Sequence, residues 1–301
     1  MKRPLSLALA AAVSLSLLAG CAPDAPAPSD ASDPAGSASA SVSSQPEEKP
    51  QQEAAPSSGE MKLTAFKNIQ LSTLSPDIRI ERGEDWGIRY TLHNKEKVTR
   101  AEVNGDTLYF SSTFKLTPTV DLKDCELVII IPVGQELQDV SLATAAGTIE
   151  LFNLNCRYLE LESVSGDVKL DHVVSQTLEA ESTSGHVTAT ACTADKAEAE
   201  STSGRVKLDG TYQTAELSSV SGSCELYAQI GKEAEIETVS GNITAQVPVQ
   251  KLEVRSIGSI TIDGEKHGGR SVTIGEGEPS LSIESVSGTV TVDQNALVMI
   301  S

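Results

Sequence analysis

STSGHV occupies residues 182–187, and STSGRV follows nineteen residues later at 201–206. The same hexapeptide recurs as SVSGDV at 163–168, SVSGSC at 219–224, TVSGNI at 238–243 and SVSGTV at 285–290. Counting outward from it, Gly147, Gly166, Gly185, Gly204, Gly222, Gly241, Gly258 and Gly288 stand 19, 19, 19, 18, 19, 17 and 30 residues apart. A fixed period near 19 is the mark of stacked repeats, and it is too short for paired helices. Val, Ile, Thr and Leu alternate with polar residues between the glycines, which is strand periodicity.

Alignment on the glycines exposes columns. Two residues on stand Ile149, Val168, Val187, Val206, Cys224, Ile243, Ile260 and Val290; four on stand Leu151, Leu170, Ala189, Leu208, Leu226, Ala245, Ile262 and Val292. A second apolar pair recurs late in each repeat, as in Leu159 with Leu161 and Leu178 with Ala180. Period-two alternation puts each pair on one face of a strand, so a repeat holds at least two short strands. The inward phase falls on odd numbers at Leu161 and on even numbers at Val168, so Ser-x-Ser-Gly must be a corner that resets it. Glycine is expected there for φ > 0, and serine for its small size and its bonds to backbone. A nucleophilic serine is disfavoured, because Gly-x-Ser-x-Gly spacing and an accompanying His are both missing.

These columns predict an all-β chain: a single-chain parallel β-solenoid, or β-helix, of about eight coils of roughly 19 residues. Residues 61–127 hold the strand-like runs DIRIE, GIRYTLH and DTLYFSS and are expected to form an N-terminal β cap. The solenoid is then 128–301, entered through ELVIIIP. The long interval before Gly288 contains DGEKHGGR, which reads as a hairpin or loop. ALVMIS at 296–301 is an apolar finish suited to covering the last coil.

The first residues have a different purpose. Lys2 and Arg3 precede an apolar run that is short for a membrane span and has the flanks of a secretory signal. Leu18-Ala19-Gly20-Cys21 resembles the lipobox of bacterial lipoproteins. That resemblance implies a signal peptide over 1–20 and lipidation of Cys21. Each buried methylene contributes about 0.8 kcal/mol, so two or three acyl chains anchor a protein where one does not. The Ala/Pro/Ser-rich segment 21–60 holds almost no large apolar residue and is expected to be a disordered tether, spanning about 35 Å as a flexible coil. The chain's formal charge of −19 disfavours nucleic acid and anionic lipid surfaces as partners.

Together the lipobox, the tether, the DIRIE and DTLYF strands and the serial S-V/T-S-G coils resemble the putative-adhesin family of bacterial β-strand-repeat lipoproteins, a domain of unknown function. The resemblance covers residues 61–300. It implies a β-solenoid displayed outside the cytoplasm and supplies no catalytic residues.

Outward-facing acids are the next regularity. Glu160, Glu179, Glu198, Glu216, Glu235 and Glu253 recur once per coil, with Glu162, Glu181, Glu200, Glu237 and Glu284 beside them. Stacked like charges need relief from solvent and salt, from lysines such as Lys169, Lys196 and Lys207, or from Ca²⁺. The solvated face is the preferred reading, because the Ca²⁺-solenoid pattern G-G-x-G-x-D is missing. Cys192 and Cys224 are expected as buried thiols, Cys192 beside Val173 and Thr211; the pairing of Cys125 and Cys156 stays open. No Cys or His stands at metal-ligand spacing. His186 and Asp167 read as a surface pair. Trp86, the single tryptophan, reads as a cap anchor, with sugar stacking as the alternative. No catalytic, cofactor-binding or metal-binding residue is assigned. The expected function is a lipid-anchored, extracytoplasmic, non-catalytic module, adhesin-like or an envelope scaffold, with an envelope glycan or protein as ligand. The alternatives are a self-assembling structural solenoid and, further off, a polysaccharide-active β-helix enzyme.

Overall fold

The computed structural model describes residues 57–93, 96–114 and 125–295. The expected signal segment, Cys21, the expected tether as far as residue 56 and the ALVMIS finish lie outside them. Every regular element among the described residues is a strand.

The chain enters through β1 (Ser57–Lys62), β2 (Asn68–Thr73), β3 (Asp77–Gly83) and β4 (Gly87–Leu92). A hairpin follows, β5 (Glu96–Asn104) and β6 (Thr107–Phe114), and then β7 (Glu126–Pro132). A regular course begins at β8 (Asp139–Thr144) and β9 (Ile149–Phe152), and continues through β10 (Tyr158–Ser163), β11 (Val168–Asp171) and β12 (Val174–Ser182). β13 (Val187–Ser201), β14 (Val206–Ser219) and β15 (Cys224–Thr238) each run through both sides of a rung. β16 (Ile243–Gln246), β17 (Lys251–Ser256) and β18 (Ser259–Ile262) lead to two short strands, β19 (Glu265–His267) and β20 (Ser271–Gly275). The last strands are β21 (Ser280–Ser285) and β22 (Thr289–Asp293).

Pairing sorts them into two parallel columns. The first runs β6, β2, β8, β10, β12, the later halves of β13, β14 and β15, then β21 and β17. The second runs β7, β3, β9, β11, the earlier halves of β13 to β15, then β16, β22 and β18. Antiparallel strands flank both ends: β5 on β6 and β4 on β7 at one, β20 on β17 and β19 on β18 at the other. Parallel pairing follows from a chain that circles in one sense, and the antiparallel flanks cover edges that would otherwise invite further strands.

Two features differ from the expected order. The last rung in sequence is not the last in space: β21 and β22 lie between β15–β16 and β17–β18, so Gly288 sits between Gly241 and Gly258. Within the expected cap, β2 and β3 continue the columns next to β8 and β9, and β6–β7 stack outside them. The β2–β3 rung is hard to see in sequence because its corner reads Thr73-Leu74-Ser75-Pro76, with proline in the glycine place. DGEKHGGR is a hairpin: Ile262 pairs with Glu265 around Gly264 (φ +82), and β20 then folds back on β17.

The core lies between the columns. Ile149, Val168, Val187, Val206, Cys224 and Ile243 are each 0–1% exposed, and they stack in register. Burial of one such side chain contributes about 1.5–3 kcal/mol. The β13 rung is poor in volume, with Ala189, Ala194, Ala197 and Ala199 inside. Tyr212, fully buried on the next rung and paired with Ala194, fills that space, and its hydroxyl donates to the Asp209 carbonyl at 3.3 Å. The second column ends in a left-handed residue on several rungs: Asn153, His172, Ala191 and Asp263 have φ of 50–54°. Asn, Asp and His tolerate that region, which accounts for His172 without chemistry. Ala191 marks an irregularity: β14 lacks a counterpart, and Cys192 therefore pairs with Gly210, one residue before the expected Thr211.

Candidate functional site

The recurring corner is a structural device. Ser201 is 4% exposed; its Oγ accepts from the Gly204 N–H at 2.9 Å and donates to the Gly185 carbonyl of the preceding rung at 2.9 Å. Ser182 does the same with Gly185 and Gly166, and Ser163 with Gly166 and Gly147. The second serine points the other way, Ser165 Oγ donating to the Ala145 carbonyl at 2.9 Å. The buried hydroxyls are thus consumed by backbone, as buried polar groups must be. Thr73 shows the consequence of losing the donor: three residues on stands Pro76, which has no N–H, and Thr73 Oγ1 has no partner.

The expectation that the corner glycines adopt positive φ is corrected. Of the eight, Gly288 alone does so, at 133°. The others are required by close approach. A Cβ on Gly185 would lie 2.0 Å from the Gly166 carbonyl oxygen, and one on Gly204 would lie 1.9 Å from that of Gly185.

The acidic rows stand on the outer face of the first column. Glu160, Glu179, Glu198, Glu216 and Glu235 are direct neighbours on successive rungs, followed by Ser282 and then Glu253. The second row runs Glu162, Glu181, Glu200, Ser218, Glu237, Glu284 and Arg255. Lys196 relieves the first row through Glu198 at 2.7 Å, and Arg255 the second through Glu284 at 2.9 Å. Lys169 and Lys207 instead belong to the second column, where they meet Glu150 and Asp209. Carboxylate oxygens of Glu198, Glu200 and Glu216 come within 4.8 Å of one another.

Crowding changes the acids' chemistry. Burial, then the charges of Glu200 and Glu162, pushes Glu181 from its ordinary value up to about 7. Glu162, Glu200, Glu216 and Glu237 are also raised, burial being the first cause for each. A carboxyl raised by folding binds protons more tightly folded than unfolded. Its contribution is fully present below the unfolded value of 4.5 and is lost as pH rises through about 7. The melting temperature at pH 5 is therefore expected to exceed that at pH 8. Glu181→Gln should stabilise the protein at pH 8 by about 1 kcal/mol after solvent screening, and shrink the pH difference. Equal melting temperatures at the two pH values, by calorimetry, would refute this.

No disulfide joins Cys125, Cys156, Cys192 or Cys224. Burial pushes the Cys224 thiol up to about 12 and the Cys192 thiol to about 11, so both are unreactive at neutral pH. His186 and Asp167 are adjacent, but through backbone: the His186 N–H donates to Asp167 Oδ1, and His186 Nδ1 accepts from the Arg205 N–H, each at 2.9 Å. Trp86 packs edge-on against the buried Phe66, ring centroids 4.5 Å apart, which agrees with an anchor. Its half-buried indole also lines a surface depression of about 660 Å³ with Gln138 and Asn155.

Sequence reasoning missed two groups. Glu96, in the innocuous run EKV, is 1% exposed; its carboxylate accepts from the Ser75 and Ser112 hydroxyls and the Leu74 N–H. A second depression, of about 640 Å³, lies on the first column's outer face between Tyr109 and Tyr158, over Gln70 and Ser141. Its residues come from separate strands that pair across up to 71 positions of sequence, and no local pattern marks them.

Comparison with known proteins agrees with this architecture. No curated protein matches the chain. Among solved structures, a putative adhesin from Bacteroides fragilis NCTC 9343 is 16% identical and aligns over 78% of this chain and 95% of its own, with a TM-score of 0.51. A putative adhesin from Parabacteroides merdae ATCC 43184 is 13% identical over 79% of this chain and 96% of its own, with a TM-score of 0.46. At such identities the first of these speaks for the shared fold. The model of the family described as Toastrack DUF4097 matches residues 66–293, nearly all of the paired strands, and the chain belongs to that family.

Proposed function

We propose that the protein is a non-catalytic binding module, adhesin-like or an envelope scaffold, held outside the cytoplasm by lipid on Cys21. The supporting observation is the outer face of the first column, which presents side chains in straight rows across successive rungs. A rigid grid of that kind suits recognition of an extended ligand, and its side chains lose little further freedom on binding. The Bacteroides fragilis neighbour, described as a putative adhesin, is consistent with such a role. In this reading residues 1–20 are the signal peptide, 21–60 the tether, its last four residues already in β1 against β4, 61–127 an N-terminal cap and 128–301 a solenoid of about eight regular coils. The lipid holds the chain to the cell envelope, and an envelope glycan or protein is the ligand.

The test has two arms on the full chain. Cys21→Ser should move it from the membrane to the soluble fraction and abolish labelling by a palmitate analogue; unchanged membrane retention would refute the anchor. The soluble Cys21→Ser chain should retain a defined component from cell-envelope extract, with Ca²⁺ and with chelator compared. No retention under either condition would refute the binding module.

A further inference from the structure

The two depressions adjoin. Arg157 and Gln176 line both, so the outer-face groove and the pocket beneath Trp86 meet along a common wall. The chain has one Trp and five Tyr, and three of those six rings, Trp86, Tyr109 and Tyr158, line this cleft. The Arg100 guanidinium, 3.7 Å from the centroid of the Tyr109 ring, stacks on it, and the Tyr158 hydroxyl donates to Glu179 at 2.8 Å. Both rings are therefore held in place before any ligand arrives, which lowers the ordering cost of binding.

The remaining lining is rich in side-chain amides: Gln70, Gln138, Asn155 and Gln176, beside Asn68, whose amide is already bonded to the Asp139 N–H and the Thr107 hydroxyl. An amide offers both a donor and an acceptor, the complement of a sugar hydroxyl, which is itself both. Aromatic rings match the apolar C–H faces of a pyranose. Charge narrows the class. The cations at the cleft are already paired, Arg157 with Asp139 at 2.7 Å and Lys67 with Asp106 at 3.3 Å. Glu136 and Glu160 add negative charge at the rim, so an anionic polymer is repelled.

We propose that this cleft binds a short neutral oligosaccharide, with Trp86 and Tyr109 as stacking platforms and Gln176 as a hydrogen-bonding residue at the junction. The proposal rests on the binding-module reading and specifies its ligand class and location. Because Trp86 is the single tryptophan, its emission reports directly on the cleft. The full chain carrying Cys21→Ser is titrated with tetrasaccharides of glucose, mannose, galactose and N-acetylglucosamine, followed by Trp86 emission and by calorimetry. At least one should bind saturably. Gln176→Ala, at an exposed position, and Tyr109→Ala should each weaken that binding about tenfold. Lys266→Ala, on the distant hairpin, should not. Saturable binding by none of the four sugars would overturn the proposal, as would undiminished binding in both cleft variants. Capture from envelope extract separates the two ideas: equal capture by wild type and cleft variants leaves a binding module whose site lies elsewhere.

Discussion

Gly204→Ala is expected to prevent the rungs from stacking, destabilising the protein by more than about 4 kcal/mol. The methyl carbon would lie 1.9 Å from the Gly185 carbonyl oxygen and 2.9 Å from Ser201 Oγ. The first obstacle is backbone, and it cannot rotate away. Gly185 cannot retreat: its N–H donates to Ser182 Oγ of its own corner, and its own Cβ position is blocked by the Gly166 carbonyl of the rung before. Displacing Gly204 outward would break the Val187–Val206 and Ala189–Leu208 pairings that follow directly. Gly105→Ala is the control. That glycine turns the β5–β6 hairpin at φ +61 with nothing within 4 Å, so its substitution costs only the left-handed backbone, about 1 kcal/mol. Urea denaturation compares them: a Gly204→Ala midpoint no lower than that of Gly105→Ala would contradict the close-approach account. An ordinary turn glycine selected for positive φ would give similar losses at both sites.

Ser201→Ala should cost about 1–3 kcal/mol although it removes a single oxygen. The loss leaves the Gly204 N–H and the Gly185 carbonyl unpaired in a closed interior, and burying an unmade hydrogen bond costs more than making one gains. Ser201→Thr should be tolerated, because Thr144 and Thr238 already hold this place and accept from Gly147 and Gly241 at 3.2 and 3.0 Å. Chemical denaturation of the two variants checks this, and equal losses in both would show that volume rather than hydrogen bonding governs the site. The alanine defect should also be local. Amides of Gly204 and its neighbours should exchange faster with solvent than those of the Gly241 corner, which keeps its own threonine.

Both expectations concern residues that stand out in sequence, yet their physical reasons differ in how openly they can be read. The serine was legible as a corner residue that bonds backbone. The glycine was legible as necessary but was assigned to positive φ, because a single strand-to-strand corner gives no hint of what lies above and below it. The acids were legible as rows from their period. Their relief was legible only in part: Lys196 meets Glu198 as expected, but Lys169 and Lys207 face the other column, while Arg255 and Ser282 enter the rows through rungs placed out of order. The cleft was not legible, because Tyr109, Gln70, Ser141 and Glu160 become neighbours only through pairings between strands distant in the chain.

Which side chains face inward, where the glycine-marked corners fall and that the strands stack can all be read from the order of the amino acids. Alternation and period are local properties, and every repeat states them again. The order of the rungs emerges only from the long-range pairings: β6–β7 outside β2–β3, and β21–β22 between β15–β16 and β17–β18. The cause is the repetition itself. Rungs built from the same columns of Val, Ile, Leu, Ser and Gly present nearly equivalent edges, so pairing energy alone scarcely distinguishes one neighbour from another. The choice falls to the connections, to the antiparallel flanks that close each end, and to single long-range contacts. Glu96 bonded to Ser75 and Ser112, and Asp77 to the Thr148 N–H at 2.7 Å, are contacts of this kind, and no period can announce them.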